Sequence, residues 1–222
     1  FTAKDVVEFF HAHDETLPET TIHWRIYHLK KQGVIESLGR GLYKIANHTE
    51  SKITFKPNFT RTHKNLFTKI KKQFPLASFC LWPVRCLHEF MVHLPTINWT
   101  IVEVEKDIAE SVYSFLREKK QDVYLNPDTK TMNQAVAYDR EALIIKNMVS
   151  ESPLIQEDKI SYPSLEKILV DVFSDKIIFN IYQGSELSNI FSNTFEKYSI
   201  NLLRLKRYAR RRQAWEGIEK IL

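Results

Sequence analysis

The sequence predicts a mixed α+β protein with two domains. Residues 1–48 are expected to form a small domain of helices and a β-hairpin, and residues 49–222 a larger α/β domain that ends in helices. At the front, apolar residues recur at helical spacing, and three of the five glycines lie between positions 33 and 41, where tight turns are needed. Farther along, short apolar runs alternate with helical patterns, which indicates strands and helices packed in layers.

Composition narrows the class of protein. Hydrophobic residues make up 43% of the 222 residues, so the chain can build a core and is neither disordered nor collagen-like. No run of about 18 apolar residues is present, and we expect no membrane span. The five glycines cannot form a dinucleotide-binding or P-loop pattern. Two cysteines make no disulfide framework, which favours a cytoplasmic location.

Charge is distributed unevenly along the chain. Residues 1–72 hold 13 lysines and arginines against 7 acidic residues, and residues 73–203 hold 12 against 18. The last 19 residues are basic again, with 7 against 2. A basic front attached to an acidic middle suggests two tasks, one of them close to a polyanion.

The first domain begins with two predicted helices. Thr2 is a good N-cap for a helix from Ala3 to His13. A second helix is expected from a cap at Thr20 or Thr21 to about Gln32, with Ile22, Ile26 and Leu29 as its apolar stripe. Gly33 follows where a left-handed C-cap residue is expected.

A hairpin completes this domain. Val34–Leu38 and Leu42–Ala46 flank a Gly39-Arg40-Gly41 turn. The order of helix, turn, capped helix and hairpin, carried by the run TTIHWRIYHLKKQGVIESLGRGLYKI, resembles a winged helix-turn-helix. Winged helices usually begin with a further helix, which we expect to precede Phe1.

The second helix presents the candidate DNA-binding residues. Hydroxyl, imidazole and cationic groups suit base edges and phosphates, and a merely solvated helix face seldom carries this many aromatic rings. Trp24 has the alternative of packing under the hairpin. Arg40 suits a phosphate or minor-groove contact at the hairpin tip. The predicted DNA-binding set is Thr20, Thr21, His23, Trp24, Tyr27, His28, Lys31, Arg40 and Lys44.

The larger domain shows a longer series of elements. Thr60 or Thr62 opens a basic helix to about Gln73, and Pro83 suits the first turn of a helix that extends through Met91. Residues 77–82 form a short apolar run, and strands are predicted at 99–104, 122–126 and 141–146. Helices are predicted at 107–119 and over about ten residues from Ser164, and the tail is helical.

Across most of its length the chain resembles the AbiEi-type antitoxins and related bacterial transcriptional regulators. The resemblance rests on the winged helix, on YPSLEKILVDVFSD at 162–175 and on INLLRLKRYARRRQAWEGIEKIL at 200–222. It implies an autoregulator that binds a double-stranded DNA operator of inverted repeats and counteracts a nucleotidyltransferase-like toxin encoded nearby.

Enzymatic alternatives have weaker support. Cys80, Cys86, His88 and His93 are spaced poorly for zinc, so no metal or other cofactor is expected. Glu103, Glu105 and Lys106 at a strand end, with Asp128 and Lys130 near another, are the best basis for a metal-dependent nuclease. Glu166, Asp171 and Asp175 are interpreted as the outer face of the helix at 164–174, and for Asp171 the alternative is a structural hydrogen-bond acceptor. No catalytic residue is assigned, and the chain is expected not to be an enzyme.

The tail carries a basic patch. Leu202, Leu205 and Tyr208 are expected to face inward, which leaves one face of the helix basic. This face suits a nucleic acid or an acidic partner, and a solvated helix face is the alternative. Its members are Arg204, Arg207, Arg210 and Arg211. We therefore expect a DNA-binding regulator of the antitoxin type; a winged-helix nuclease and a ligand-sensing regulator are the alternatives.

Overall fold

The computed structural model describes residues 1–39, 41–45, 55–119 and 122–222. The chain divides into two compact units, residues 1–53 and 54–222. The fold is mixed α+β, as predicted. Arg40 and the expected boundary near residue 48 lie outside the described residues. Within those residues, no helix is long and apolar enough to cross a membrane.

The first unit contains helix α1 (Ala3–His11), helix α2 (Glu19–Lys31) and a hairpin of β1 (Ile35–Gly39) with β2 (Leu42–Ile45). The predicted cap at Thr2 is confirmed, because its hydroxyl accepts a hydrogen bond from the Asp5 N–H while the Asp5 carboxylate accepts one from the Thr2 N–H. Ile22, Ile26 and Ile35 form the centre of a small core.

The predicted caps at Thr20 and Thr21 are wrong. Pro18 occupies the position before the first turn of α2, with a φ of −61°, and the Thr21 N–H already donates to the Pro18 carbonyl oxygen at 2.9 Å. The proline ring fixes a φ close to the helical value without a side-chain cap. Both threonines therefore lie inside the first turn of the helix.

Gly33 ends α2 as predicted, with a φ of +66°. Its N–H donates to the Lys30 carbonyl at 3.0 Å, and the Val34 N–H donates to the Leu29 carbonyl at 2.9 Å. This pair of bonds satisfies two carbonyls at the helix end and requires a left-handed residue at position 33.

Gly33→Ala should destabilise α2 by about 1 kcal/mol, because a Cβ at positive φ approaches the following carbonyl oxygen. Amide hydrogen exchange of α2 in the full chain measures this local opening free energy. Gly39→Ala is the matched control, since Gly39 lacks a positive φ and, its chain neighbours aside, no atom of the described residues lies within 4 Å of an added Cβ. Equal effects of the two substitutions would contradict the assignment.

The second unit is built around a four-stranded sheet in the order β3-β4-β6-β5. Strands β4, β6 and β5 are parallel, and β3 pairs antiparallel with β4 at one edge. A second hairpin pairs β7 with β8. The strands are β3 (Phe79–Pro83), β4 (Thr100–Val104), β5 (Val123–Leu125), β6 (Leu143–Asn147), β7 (Leu154–Glu157) and β8 (Ile160–Pro163).

Helices cover both faces of this sheet. Adjacent residues of β4 face opposite ways, so Ile101 belongs to one apolar cluster and Val102 to the other. Helices α3 and α4 pack on the Val102 side, and the C-terminal helices pack on the Ile101 side. The helices are α3 (Arg61–Gln73), α4 (Ala109–Arg117), α5 (Thr129–Gln134), α6 (Leu165–Ser174), α7 (Ser185–Lys197), α8 (Leu202–Arg211) and α9 (Trp215–Glu219).

Several details differ from the sequence-based expectations. The helix predicted from Pro83 is a 3-10 helix, Val84–Phe90, with Pro83 as the last strand residue. The helix predicted at 107–119 is α-helical only from Ala109 to Arg117. Helix α5 and the β7–β8 hairpin were not predicted at all. Leu202 is 53% exposed, so its predicted inward orientation is wrong, whereas Leu205 and Tyr208 are buried.

Candidate functional site

The outward face of α2 carries a group of exposed aromatic side chains. Trp24 is 54% exposed and Tyr27 is 61% exposed, and His23 is exposed beside them. The Trp24 and His28 rings lie 4.0 Å apart between centroids, as residues four apart on one helix face can. The alternative that Trp24 packs under the hairpin does not hold. We call Thr21, His23, Trp24, Tyr27, His28 and Lys31 the α2 face.

The opposite side of α2 fixes the orientation of this face. Ile22 is fully buried and Ile26 is 3% exposed. The guanidinium of Arg25 lies over the Phe10 ring of α1, 4.9 Å from its centroid. Because the apolar side of α2 packs against α1 and β1, the α2 face is held toward solvent. Thr20 is exposed and Thr21 half-buried at the N-terminal end of the helix.

The hairpin next to α2 carries one described candidate, Lys44. Its ammonium lies 2.7 Å from the Glu36 carboxylate across the strand pair. Phe1 and Thr2 extend alongside β2, because the Ala3 N–H donates to the Gly41 carbonyl at 2.9 Å and the Tyr43 N–H donates to the Phe1 carbonyl at 2.8 Å. The hairpin therefore has an additional extended segment at its edge.

A buried ion cluster lies at the centre of the second unit. It consists of Glu103 on β4 with Lys167 and Asp171 on α6, and none of these side chains is more than 4% exposed. The Lys167 ammonium donates to both Glu103 carboxylate oxygens, at 2.7 and 2.6 Å, and also to Asp171. The interpretation of Glu166 and Asp171 as part of an outer face is wrong, because both are buried. The alternative for Asp171, a structural hydrogen-bond acceptor, is confirmed, because its carboxylate accepts from Lys167 and Tyr208.

Neighbouring groups complete the cluster. The Trp82 indole N–H donates to Glu103 at 3.2 Å, and the Tyr208 hydroxyl donates to Asp171 at 2.9 Å. The Arg212 guanidinium lies 3.4 Å from Asp171. Two carboxylates therefore face two cations, and the cluster connects the sheet to α6 and α8. Lys167, Glu103 and Asp171 are hydrogen-bonded to one another or to Trp82 and Tyr208, whereas the buried Arg212 Nε makes an ion pair with Asp171 but no hydrogen bond.

The charges of the cluster shift its pKa values. Burial by itself lowers the pKa of Lys167, but attraction to Asp171 and Glu103 outweighs burial and leaves this pKa well above its usual range. Burial likewise raises the pKa of Asp171, but the charges of Lys167, Lys146 and Arg212 outweigh it, and the pKa is lowered. Both groups therefore stay ionised near neutral pH.

The outer side of α8 carries the basic face predicted for the tail, formed by Arg204, Arg207, Arg210 and Arg211. Arg211 hydrogen-bonds to the Ser150 hydroxyl and lies 3.2 Å from the Glu151 carboxylate. Arg204 lies 3.6 Å from Glu166. Arg207 and Arg210 are exposed and have no charged partner among the described residues. The basic face thus keeps two unpaired cations.

An open groove runs beside this face. Its volume is about 490 Å³, and it is lined by residues 151–155, Arg204 and Arg207. A smaller groove of about 340 Å³ continues past Leu203, which is 82% exposed. Sequence reasoning missed this groove because it missed β7. The available signal for a hairpin was the pair of short apolar segments on either side of the turn, Leu154 and Ile155 before it and Ile160 and Tyr162 after it.

The residues weighed for metal chemistry are not brought together. Cys80 is buried, and burial raises the pKa of its thiol. The His93 Nδ1 atom lies 2.5 Å from the Glu186 carboxylate. In the described parts of the chain, no group of three or more His, Cys, Asp or Glu side chains is placed to hold a metal ion. Glu103 is bonded to Lys167, and Asp128 caps α5, so neither supports the nuclease hypothesis.

The fold and these surfaces define a mixed α+β protein with an exposed aromatic helix face in one unit and a basic groove in the other. Residues 21–222 match the model of DUF6577, a family of unknown function, and the chain belongs to this family. No curated protein matches the chain. The matched span includes α2 from Thr21 onward together with the whole second unit.

Proposed function

We propose that the chain is a sequence-specific DNA-binding transcriptional regulator whose first unit is a winged helix-turn-helix. The observation that carries the proposal is the α2 face. It presents the exposed rings of His23, Trp24 and Tyr27, together with His28 beside Trp24 and the Lys31 ammonium. The other side of the helix is buried. Large exposed aromatic patches mark interaction sites. Imidazole, hydroxyl and ammonium groups are the donors that base edges and phosphates accept.

The elements around α2 support the same function. Helix α2 follows α1 after a short turn and precedes a hairpin, which is the order of a winged helix-turn-helix. The edge segment at Phe1 and Thr2 anchors the start of α1 to the hairpin. A recognition helix has to be held rigidly by its neighbours while its outer face enters the major groove.

The direct experiment is a gel-shift and footprinting assay of the full chain on the promoter region of its own gene. We expect protection of a short site, repeated as an inverted pair if the regulator dimerises, and weaker binding to random DNA of equal length. Equal binding to both would leave only a polyanion-binding protein, and sequence-specific regulation would be rejected.

Salt dependence should reveal the phosphate contacts. In Lys31→Ala, we expect the slope of log K against log salt to become shallower by about one unit on promoter and random DNA alike, because one fewer counterion is released. Arg40→Ala should behave in the same way. Lys130→Ala, which removes an exposed cation of the second unit, is the matched control and should keep the full slope. A wild-type slope in both test variants would contradict the proposed contacts.

We further propose that the second unit acts as the antitoxin part of an AbiEi-like regulator. The support is the basic face of α8, which keeps Arg207 and Arg210 unpaired although the unit as a whole contains many acidic residues. Co-expression with a neighbouring nucleotidyltransferase-like toxin gene tests this role. Growth should be restored by the chain, and a chain that restores no growth beside an active toxin would reject it.

A further inference from the structure

Strand β7 leaves one of its edges unpaired. Within the described part of the chain, β8 is its one paired strand. Asp158 and Lys159 form the turn between them, with φ values of +49° and +65°, as in a two-residue hairpin turn with both central residues left-handed. Glu157 and Ile160 are the pair that flanks this turn.

The register determines which backbone groups face outward. In a two-residue hairpin the flanking pair is hydrogen-bonded, and hydrogen-bonded pairs alternate with non-bonded pairs along the strands. The Ser164 N–H donates to the Pro153 carbonyl at 2.9 Å, which is the position where this alternation places a hydrogen-bonded pair. The N–H and C=O groups of Leu154 and Gln156 therefore point away from β8, and a new strand can pair with them.

The groove beside α8 opens onto this edge. Both Leu154 and Ile155 line it, together with the preceding residues 151–153. Neighbouring side chains of a strand point to opposite faces of the sheet. Because Leu154 and Ile155 are neighbours and both line the groove, the groove lies along the edge of β7 and not over one of its faces. The other wall of the groove is formed by Arg204 and Arg207.

The charge of the groove favours an anionic occupant. Glu151 is the one acidic residue in its lining, and Arg211 pairs with it at 3.2 Å. Arg207 has no charged partner among the described residues, and Arg204 is shared with Glu166 at a distance of 3.6 Å. Charge-assisted bonds to carboxylates are the contacts that guanidinium groups make best.

We propose that this groove binds an extended acidic segment of a partner protein, which adds as a strand to β7 and places carboxylates on Arg204 and Arg207. Strand addition supplies main-chain hydrogen bonds, and side chains at alternate positions give specificity. Leu203, which is 82% exposed at the end of the groove, is covered by an apolar side chain of the segment.

A nucleic-acid strand fits the same surface less well. Its phosphates would satisfy the arginines, but the outward carbonyls of Leu154 and Gln156 need donors, and a phosphate chain brings only acceptors along that edge. The exposed Leu203 also gains nothing from a phosphate. An acidic peptide, in contrast, brings carboxylates for the arginines, main-chain N–H groups for the outward carbonyls and an apolar side chain for Leu203. This inference does not depend on DNA binding by the first unit.

The probe is a displayed library of random peptides, each about a dozen residues long, selected on the immobilised full chain. Among the selected peptides we expect Asp or Glu at alternate positions around an apolar residue. Charge reversal in Arg207→Glu should weaken the best peptide by about tenfold or more, because a like-charge contact replaces a charge-assisted bond. Arg210→Glu is the matched control: Arg210 lies on the same helix without lining the groove, and binding should be nearly unchanged.

Two further measurements separate strand addition from simple charge attraction. Bound peptide should slow the hydrogen exchange of the Leu154 and Gln156 amides. A peptide that is N-methylated at every second residue should lose binding when the methylated amides are those that face β7, and should keep it when the other set of amides is methylated. Selection without acidic enrichment, equal loss in Arg210→Glu, or unprotected β7 amides would each overturn the proposal. Arg207-dependent binding of single-stranded RNA or DNA without any selected peptide would also overturn it.

Discussion

Replacing Lys167 with methionine should lower the free energy of unfolding by about 3–5 kcal/mol, because it leaves the buried Glu103 carboxylate without its cation and leaves Asp171 with only the more distant Arg212 guanidinium. The side chains of Glu103 and Asp171 are at most 4% exposed. Their hydrogen bonds from Trp82 and Tyr208 cannot replace the charge of an ammonium group. Methionine has a similar length and fills the same space. Urea unfolding followed by circular dichroism measures the change.

The matched control is Lys56→Met. Lys56 also pairs with two carboxylates, Glu157 at 2.7 Å and Asp158 at 2.8 Å, but its side chain is 39% exposed. Water solvates the charges that remain after the substitution, so we expect little change in stability. If the two variants lost similar stability, the ion cluster would not be the contact that joins the sheet to α6 and α8.

The contribution of Lys167 should also depend on pH. The pKa of Asp171 is lowered in the folded state, so its stabilising contribution is present above the ordinary pKa of 3.8 and is lost as pH falls through the folded value. The pKa of Lys167 is raised, so its contribution is present below 10.5 and is lost as pH rises through the folded value. The difference between wild type and Lys167→Met should be largest between these limits and should shrink in strong acid.

Local signals in the sequence predicted the starts of three helices. Thr2, Thr60 and Ser164 cap their helices as expected, because a cap needs only a hydroxyl and an N–H a few residues away. Gly33 likewise sits where the apolar stripe of α2 ends. The β7–β8 hairpin was missed because its turn is Asp158-Lys159, which lacks the glycine that usually marks two left-handed residues.

The ion cluster was missed for a different reason. Glu103 and Lys167 lie 64 positions apart in the sequence. Burial of a charged residue can be predicted only when its partner of opposite charge is known, because an unpaired buried charge is too costly. The spacing of Lys167 and Asp171 by four residues within the apolar run of α6 was the one local signal of an internal pair. The unpaired state of Arg207 also depends on where Glu151 and Glu166 lie in the fold, which the arginine pattern alone does not contain.

The proposed base contacts should have the second large effect. Replacing His23 or Thr21 with alanine should lower specific affinity by roughly 1–3 kcal/mol and leave non-specific binding nearly intact, because a base edge loses a hydrogen-bonding partner while the phosphate contacts stay. Both residues belong to the α2 face and neither is part of the core of the unit. Titration of promoter and random DNA of equal length, at one fixed salt concentration, separates the two kinds of binding.

His13→Ala is the matched control, because His13 is an exposed histidine of the same unit that bonds to the Phe9 carbonyl just after α1 and lies outside the α2 face. Its removal should change neither specific nor non-specific affinity. If His23→Ala, Thr21→Ala and His13→Ala all kept the wild-type footprint and affinity, α2 would not be a recognition helix. If all three lost specific binding equally, the loss would reflect weakened folding of the unit, and the assignment of base contacts to the α2 face would be withdrawn.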